Sequence, residues 1–180
     1  MRHLALPSTI DEPACGAGHI AKVLEEYGYE VVASNLVDRG FGETGVDFLR
    51  VPTPRARCLI TNPPFSLDEE FVLHALDLGY EIAIFFLRLK WLCGADRYRR
   101  IMAPYPPCLV LPFIERIKFY AGDTAIDEQP GWNTEDFAWF VWRKGFIGKP
   151  TIDWLSRDDG RQADLFRLGP AETANVEAAE

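Results

Sequence analysis

The chain has 180 residues, 48% of them hydrophobic, and a formal net charge of −8, enough to bury one full core and ill suited to coating nucleic acid non-specifically. Its longest apolar run, residues 82–87, is too short for a membrane span, and residues 1–7 are too short and interrupted for a secretory signal, so no membrane partner and a cytoplasmic location are expected. Cys15, Cys58, Cys93 and Cys108, with His3, His19 and His74, form no cluster at ligand spacing, which predicts reduced, mostly buried thiols and no metal.

In chain order, Thr9-Ile10-Asp11-Glu12 reads as a first strand and Pro13-Ala14-Cys15-Gly16-Ala17-Gly18 as the loop leaving it. Ile20, Val23, Leu24 and Tyr27 recur at helical spacing and predict a helix closed by Gly28. A strand, a glycine loop and a helix N-terminus in that order make a pocket for a nucleotide-like group, because glycine lets a ligand approach the backbone. Gly16-x-Gly18-x-x-Ala21 also satisfies the loose dinucleotide fingerprint. Residues 29–35 form a second strand whose tip, Asn35, stands where a carboxylate would hold a ribose; Asp38 follows shortly after. Val46-Asp47-Phe48-Leu49 offers a carboxylate to accept from an adenine amine and a ring to pack beside the base; the same residues equally suit a short edge strand.

The apolar run Cys58-Leu59-Ile60-Thr61 predicts a buried strand, and it ends in an unusual exit, Asn62-Pro63-Pro64-Phe65. The prolines donate no N–H and fix φ, which stiffens the loop and leaves the Pro63 carbonyl free to point into a cleft. With the Asn62 side-chain oxygen this makes two acceptors beside the flat face of Phe65, suited to a planar ring bearing an exocyclic amine. A plain turn is the alternative for these residue types. Ser66 and Glu69 have the spacing of a capping box for a helix through Phe71, Val72, Ala75, Leu76 and Leu78 to Gly79. Residues 82–87, apolar without alternation, predict a central parallel strand.

From residue 88 to residue 118, Arg88, Lys90, Arg97, Arg99, Arg100, Arg116 and Lys118 face only Asp96 and Glu115, a local charge of +5 interleaved with Trp91, Tyr98, Tyr105 and Phe113. Such a stretch suits phosphate contacts and stacking, or a solvated face over core aromatics. Residues 108–111 predict another strand, residues 122–132 a long loop, and residues 136–142 a β-prone run pairing antiparallel with the preceding strand at the sheet edge. The alternation of elements predicts an α/β protein with a doubly wound, mostly parallel sheet and an antiparallel C-terminal edge hairpin. One domain over residues 1–156 is expected, followed by a polar tail over 157–180 whose end, from residue 169, is expected to be disordered.

Together, Glu12-Pro13-Ala14-Cys15-Gly16-Ala17-Gly18 and, roughly forty residues later, Asn62-Pro63-Pro64-Phe65 resemble the paired signature motifs of the S-adenosylmethionine-dependent amino-methyltransferases. The similarity is especially to the DNA N6-adenine type in its compact phage and prophage forms, which Leu87-Arg88-Leu89 and Phe137-Ala138-Trp139-Phe140-Val141-Trp142 also fit. The resemblance implies the class I, Rossmann-like methyltransferase fold, S-adenosyl-L-methionine as cofactor, and DNA, or RNA, as partner. It implies that Glu12, Pro13, Ala14, Gly16 and Gly18 hold the methionine part of the cofactor, that Asn35 faces its ribose, and that Asp47 and Phe48 take its adenine. Asn62 and the Pro63 carbonyl would orient the target amine, with Pro64 stiffening the loop and Phe65 stacking on the extruded base. Arg88, Lys90, Arg97, Arg116 and Lys118 would contact nucleic acid.

The chain departs from that pattern in three ways. Asn35 replaces the usual acid, the upstream segment that covers the cofactor in many such proteins is expected to be reduced, and no separate target-recognition domain is visible. Glutamine-modifying and RNA-modifying methyltransferases share the Asn-Pro-Pro-aromatic loop, and a non-catalytic scaffold of the same fold is a further alternative. An NAD-binding oxidoreductase accounts for the glycines but leaves residues 62–65 without a role.

Overall fold

The computed structural model describes residues 4–115 and 135–156. Eight strands form one sheet: β1 (Thr9–Glu12), β2 (Glu30–Asn35), β3 (Glu43–Thr44), β4 (Cys58–Thr61), β5 (Ile82–Arg88), β6 (Leu109–Pro112), β7 (Phe137–Arg143) and β8 (Thr151–Ile152). Their order is β3-β2-β1-β4-β5-β7-β6-β8, all neighbours parallel except that β7 runs antiparallel to both β5 and β6. Helix α1 (His19–Glu26) connects β1 to β2 and α2 (Asp68–Leu78) connects β4 to β5. The expected antiparallel hairpin is thus present at that end of the sheet. Its second strand is inserted one place inward, because the fully apolar β7 needs cover on both faces, and β8 takes the outer edge beside β6.

Alternation along the strands builds two cores. Ile82, Ile84 and Phe86 of β5 and Phe137, Trp139 and Val141 of β7 face Ile10, Leu24 and Ile60. Ala83, Phe85 and Leu87, with Ala138, Phe140 and Trp142, face Leu59, Phe71, Val72 and Trp91 on the opposite side. Each large side chain removed from water contributes about 1.5–3 kcal/mol, so continuous apolar runs are what a strand covered on both faces requires. Cys15 and Cys58 are buried, whereas Cys93 is exposed.

Two local expectations are corrected. Helix α2 starts at Asp68 with Leu67 at its N-cap and no side-chain cap bond, so Ser66 does not form the capping box. Glu69 turns instead to Arg97 Nε at 3.0 Å and Arg100 Nη1 at 3.2 Å, and the acids Asp68, Glu69 and Glu70 complement the positive helix end. In α1, Leu24 is buried but Val23 is 41% exposed, because only Ala21 and Leu24 point squarely at the sheet. The expected loop over residues 122–132 and the tail over 157–180 lie outside the described residues.

Candidate active site at the strand tips

Strands β1 and β4 are parallel neighbours, with Ile10 opposite Cys58 and Asp11 opposite Leu59. Their exits therefore emerge side by side at the same end of the sheet, and the glycine loop and the Asn62–Phe65 loop share one rim. Strand β2 flanks β1 on the other side, with Glu12 opposite Ala33, so Asn35 joins the same rim.

Glu12 is 1% exposed, and its carboxyl is pushed up to about 8, chiefly by burial, with the carboxylates of Asp11 and Glu25 adding to the effect and the backbone N–H of Ala21 opposing it. Its Oε2 has no partner among the described residues. Gly16 has φ 55° and open space where a side chain would start, so it is accessible floor. Gly18, at φ 78°, is not. A Cβ built there would lie 2.5 Å from the Phe41 ring, which folds back from the loop after β2 and carries Lys22 Nζ 5.0 Å from its centroid. Gly18 is needed for that ring and for the left-handed entry to α1. Pro13 is buried and Ala14 packs against the second core.

The Asn35 side chain donates to the Val37 carbonyl at 2.6 Å, which braces the β2 exit, and Asp38 accepts from Gly40 N at 2.9 Å. Asp47 caps a short 3-10 turn, Phe48–Arg50, by accepting from Leu49 N at 3.1 Å. Phe48 is 2% exposed and packs on Phe71 at 4.9 Å and edge-on to His74 at 5.0 Å. Its ring is a core ring and not a free surface beside a ligand, and the segment is a turn rather than an edge strand; an aromatic between two polar-flanked positions reads the same in sequence whether it faces the core or a cleft.

At the β4 exit, Asn62 Oδ1 is buried and has no partner among the described residues, as has Thr61 Oγ1. Pro63 is buried and Pro64 exposed. A buried acceptor left unpaired costs about 1–3 kcal/mol, and this one stands at a strand exit next to the glycine loop. Phe65 is 40% exposed and lies 5.8 Å from Phe137, which stacks on Phe86 at 5.1 Å. Arg88, at the tip of β5, holds its guanidinium 5.0 Å from the Phe65 ring centroid and donates to the Phe65 carbonyl at 3.3 Å. Sequence reading put Arg88 on nucleic acid and missed this contact; the cue available was that β5 follows β4 in a parallel sheet and ends beside its loop.

Among the described residues the basic stretch is not a free cationic surface. Arg88 pairs with Asp68 at 3.4 Å and Glu135 at 3.7 Å, Lys90 with Glu135 at 2.5 Å, Arg97 and Arg100 with Glu69, and Arg99 with Asp96 at 3.0 Å. Arg97 also stacks 4.7 Å from the centroid of Trp91, itself 1% exposed. Counting charges along the chain missed acids that α2 and the start of β7 bring in. Arg116 and Lys118 lie outside the described residues.

Two surface cavities, of about 500 and 540 Å³, lie elsewhere, one against Leu6, Arg57, Glu81 and Lys144 and one against Leu89, Val110, Phe113 and Trp154. No cluster of metal-binding side chains occurs among the described residues, and no helix there is long and apolar enough to cross a membrane.

The strand order and the inward antiparallel β7 are those of the class I, Rossmann-like methyltransferase fold, and they differ from the all-parallel dinucleotide-binding order. Solved structures of that fold match the chain. A predicted O-methyltransferase from Agrobacterium tumefaciens aligns with a TM-score of 0.59 at 13% identity, over 93% of this chain and 91% of its own. A dimethyladenosine transferase from Plasmodium falciparum aligns with a TM-score of 0.51 at 12% identity, over 77% of this chain and 56% of its own. The magnesium protoporphyrin IX methyltransferase of Synechocystis PCC 6803, solved with bound SAM, gives 0.50 at 13% identity, over 77% and 71%. No family model and no curated protein matches the sequence. At these identities the likeness establishes the fold.

Proposed function

We propose that this chain is an S-adenosyl-L-methionine-dependent N-methyltransferase whose target is the exocyclic N6 amine of adenine in DNA. The observation that carries the reading is the buried, unpartnered Oδ1 of Asn62 on a proline-stiffened exit, one strand away from the glycine loop. The residues present fit the cofactor: Gly16 offers open floor, and Glu12 offers a buried carboxyl oxygen without a partner, matched to a cationic group. Asn35 at the β2 tip would face the ribose and Asp47 at the 3-10 turn the adenine, with Phe48 acting through the backbone because its ring is buried. When bound, S-adenosylmethionine supplies an electrophilic methyl group on sulfur, which leaves as a neutral thioether.

The protein's own part is positioning. Asn62 Oδ1 and the Pro63 carbonyl accept from the amine and turn its lone pair away from ring conjugation, and Phe65 fixes the plane of the ring. Orientation of this kind is worth about 7–11 kcal/mol in well-aligned systems. Extruding a base costs a few kcal/mol, partly returned by stacking. The test is transfer from labelled S-adenosylmethionine to DNA, with the labelled nucleoside identified as N6-methyladenosine's deoxy form. Asn62→Ala should reduce transfer by about a hundredfold or more without lowering the melting temperature, since it removes an unpaired buried acceptor. Absence of label in DNA would overturn the assignment.

A second reading is favoured by the ion pairing of every described cation between residues 88 and 100. Cations already paired over these described residues suit an uncharged target such as a glutamine side-chain amide in a protein, which presents the same N–H donors to Asn62. Label found in protein would select it.

A further inference from the structure

Arg88 lies over the Phe65 ring, the surface that the proposed function gives to the target base. Its guanidinium is planar, lies 5.0 Å from the centroid of the Phe65 ring, and is only 21% exposed. Its other contacts are long: 3.3 Å to the Phe65 carbonyl, 3.4 Å to Asp68 and 3.7 Å to Glu135. Its Nε is buried and has no partner among the described residues. A guanidinium with optimal partners forms bidentate pairs near 2.7–2.9 Å, so this one is loosely held among three partners while covering an aromatic face. Two carboxylates stand next to it and it engages neither closely; Glu135 is already held by Lys90 through Oε1 at 2.5 Å, and its Oε2 is the atom that faces Arg88 at 3.7 Å.

We infer that Arg88 is a placeholder on the Phe65 platform: it covers the ring until a planar target arrives, then moves onto Asp68 and Glu135, so that its displacement sets how readily the target enters. The inference rests on the amine-directed reading of the Asn62 loop. Arg88 acts here through Phe65 and is a positioning residue. The cation over the ring substitutes for water on an apolar face, and its release from the ring is compensated by tighter ion pairs that form on the same carboxylates. The move is a short one for the side chain, since Arg88 already lies 3.4 Å from Asp68 and 3.7 Å from Glu135 while it covers the Phe65 ring.

The test uses adenosine as a neutral probe, which carries no phosphate for an arginine to bind, titrated by NMR into protein saturated with S-adenosylhomocysteine. Arg88→Ala should bind adenosine about two- to five-fold more tightly than wild type, the range that a lost cation–ring contact implies. Glu135→Gln, which removes one of the two berths and is not needed for the core, should bind it more weakly at unchanged melting temperature. In a Phe65→Ala background Arg88→Ala should have no effect on adenosine. Weaker or unchanged binding by Arg88→Ala, or an equal effect with and without Phe65, would overturn the inference, as would adenosine failing to bind any of these proteins. In parallel, methyl transfer to DNA by wild type tests the functional reading alone. Transfer with unaltered adenosine binding by the variants sinks only the placeholder, whereas absent transfer with the expected binding changes sinks only the assignment of substrate.

Discussion

Replacing Glu12 by glutamine separates the electrostatic cost of the β1 tip from its packing. The folded carboxyl keeps its proton to about 8, against an ordinary value of 4.5, mainly because it is buried. The unfolded chain gives up that proton near 4.5. Between those two values the folded state therefore holds a proton that the unfolded state lacks, and stability must fall as pH rises through the window, then level off above it. At about 1.36 kcal/mol per pH unit, the full interval corresponds to on the order of 5 kcal/mol, and relaxation of the site around a buried charge lowers this to a few kcal/mol. Glutamine has the same shape, keeps a carbonyl oxygen for the Ala21 amide and does not titrate. Urea denaturation of both proteins should give nearly equal stability near about pH 5, with the glutamine variant ahead by a few kcal/mol near about pH 9. Parallel pH profiles would refute the account of Glu12 as a buried, proton-holding acid. With cofactor, the same logic predicts proton release: a cationic group seated against Glu12 favours its carboxylate. Calorimetry of S-adenosylmethionine binding in buffers of different ionisation heat should then show a proton leaving at neutral pH.

Two further outcomes are expected. Gly18→Ala should destabilise by about 1–3 kcal/mol, because both its φ of 78° and the Phe41 ring oppose a Cβ; Gly16→Ala, with φ 55° but open space, should show a smaller loss of melting temperature and a larger loss of cofactor affinity. Binding to a DNA duplex measured across salt concentrations should show a shallow slope, about two released counterions or fewer, since the described cations from residue 88 to residue 100 are already paired. A steep slope would mean that those pairs exchange for phosphates.

Elements whose signal is local were legible in the sequence. The uninterrupted apolar run of β5, the helical spacing of α2 ending at Gly79 in a left-handed turn, and the acceptor-bearing exit at Asn62 all follow from periodicity or backbone chemistry. Contacts between distant segments were not. Phe48 and Phe65 are both aromatic residues next to polar loop positions, yet the first is clamped by Phe71 and His74 from α2 while the second stays 40% exposed on a rigid exit. Arg97 looked like a phosphate ligand until α2 placed Glu69 beside it and Trp91 presented its face. Gly18, expected as floor for the cofactor, instead lies under Phe41, more than twenty residues later, whose ring fills the space a side chain would take.

The order of the strand tips gives these residues a common logic. Parallel neighbours must end on the same rim, so the exits of β1, β4 and β5 bring to one edge of the sheet a buried acid at Glu12, a neutral amide at Asn62 just past β4, and a cation at Arg88. An acid is useful at the first place because it can pair with a positive group that is held and not consumed. At the second place a buried carboxylate would be raised in pKa by burial and could take a proton, changing from acceptor to donor with pH. An amide oxygen accepts at every pH without that risk. The cation at the third place would upset this balance if it were bare, and Asp68 and Glu135 hold it close to neutral. On the proposed function, these three tips would suit a positively charged occupant at Glu12 and an uncharged N–H donor at Asn62, with their side chains brought together by sheet topology.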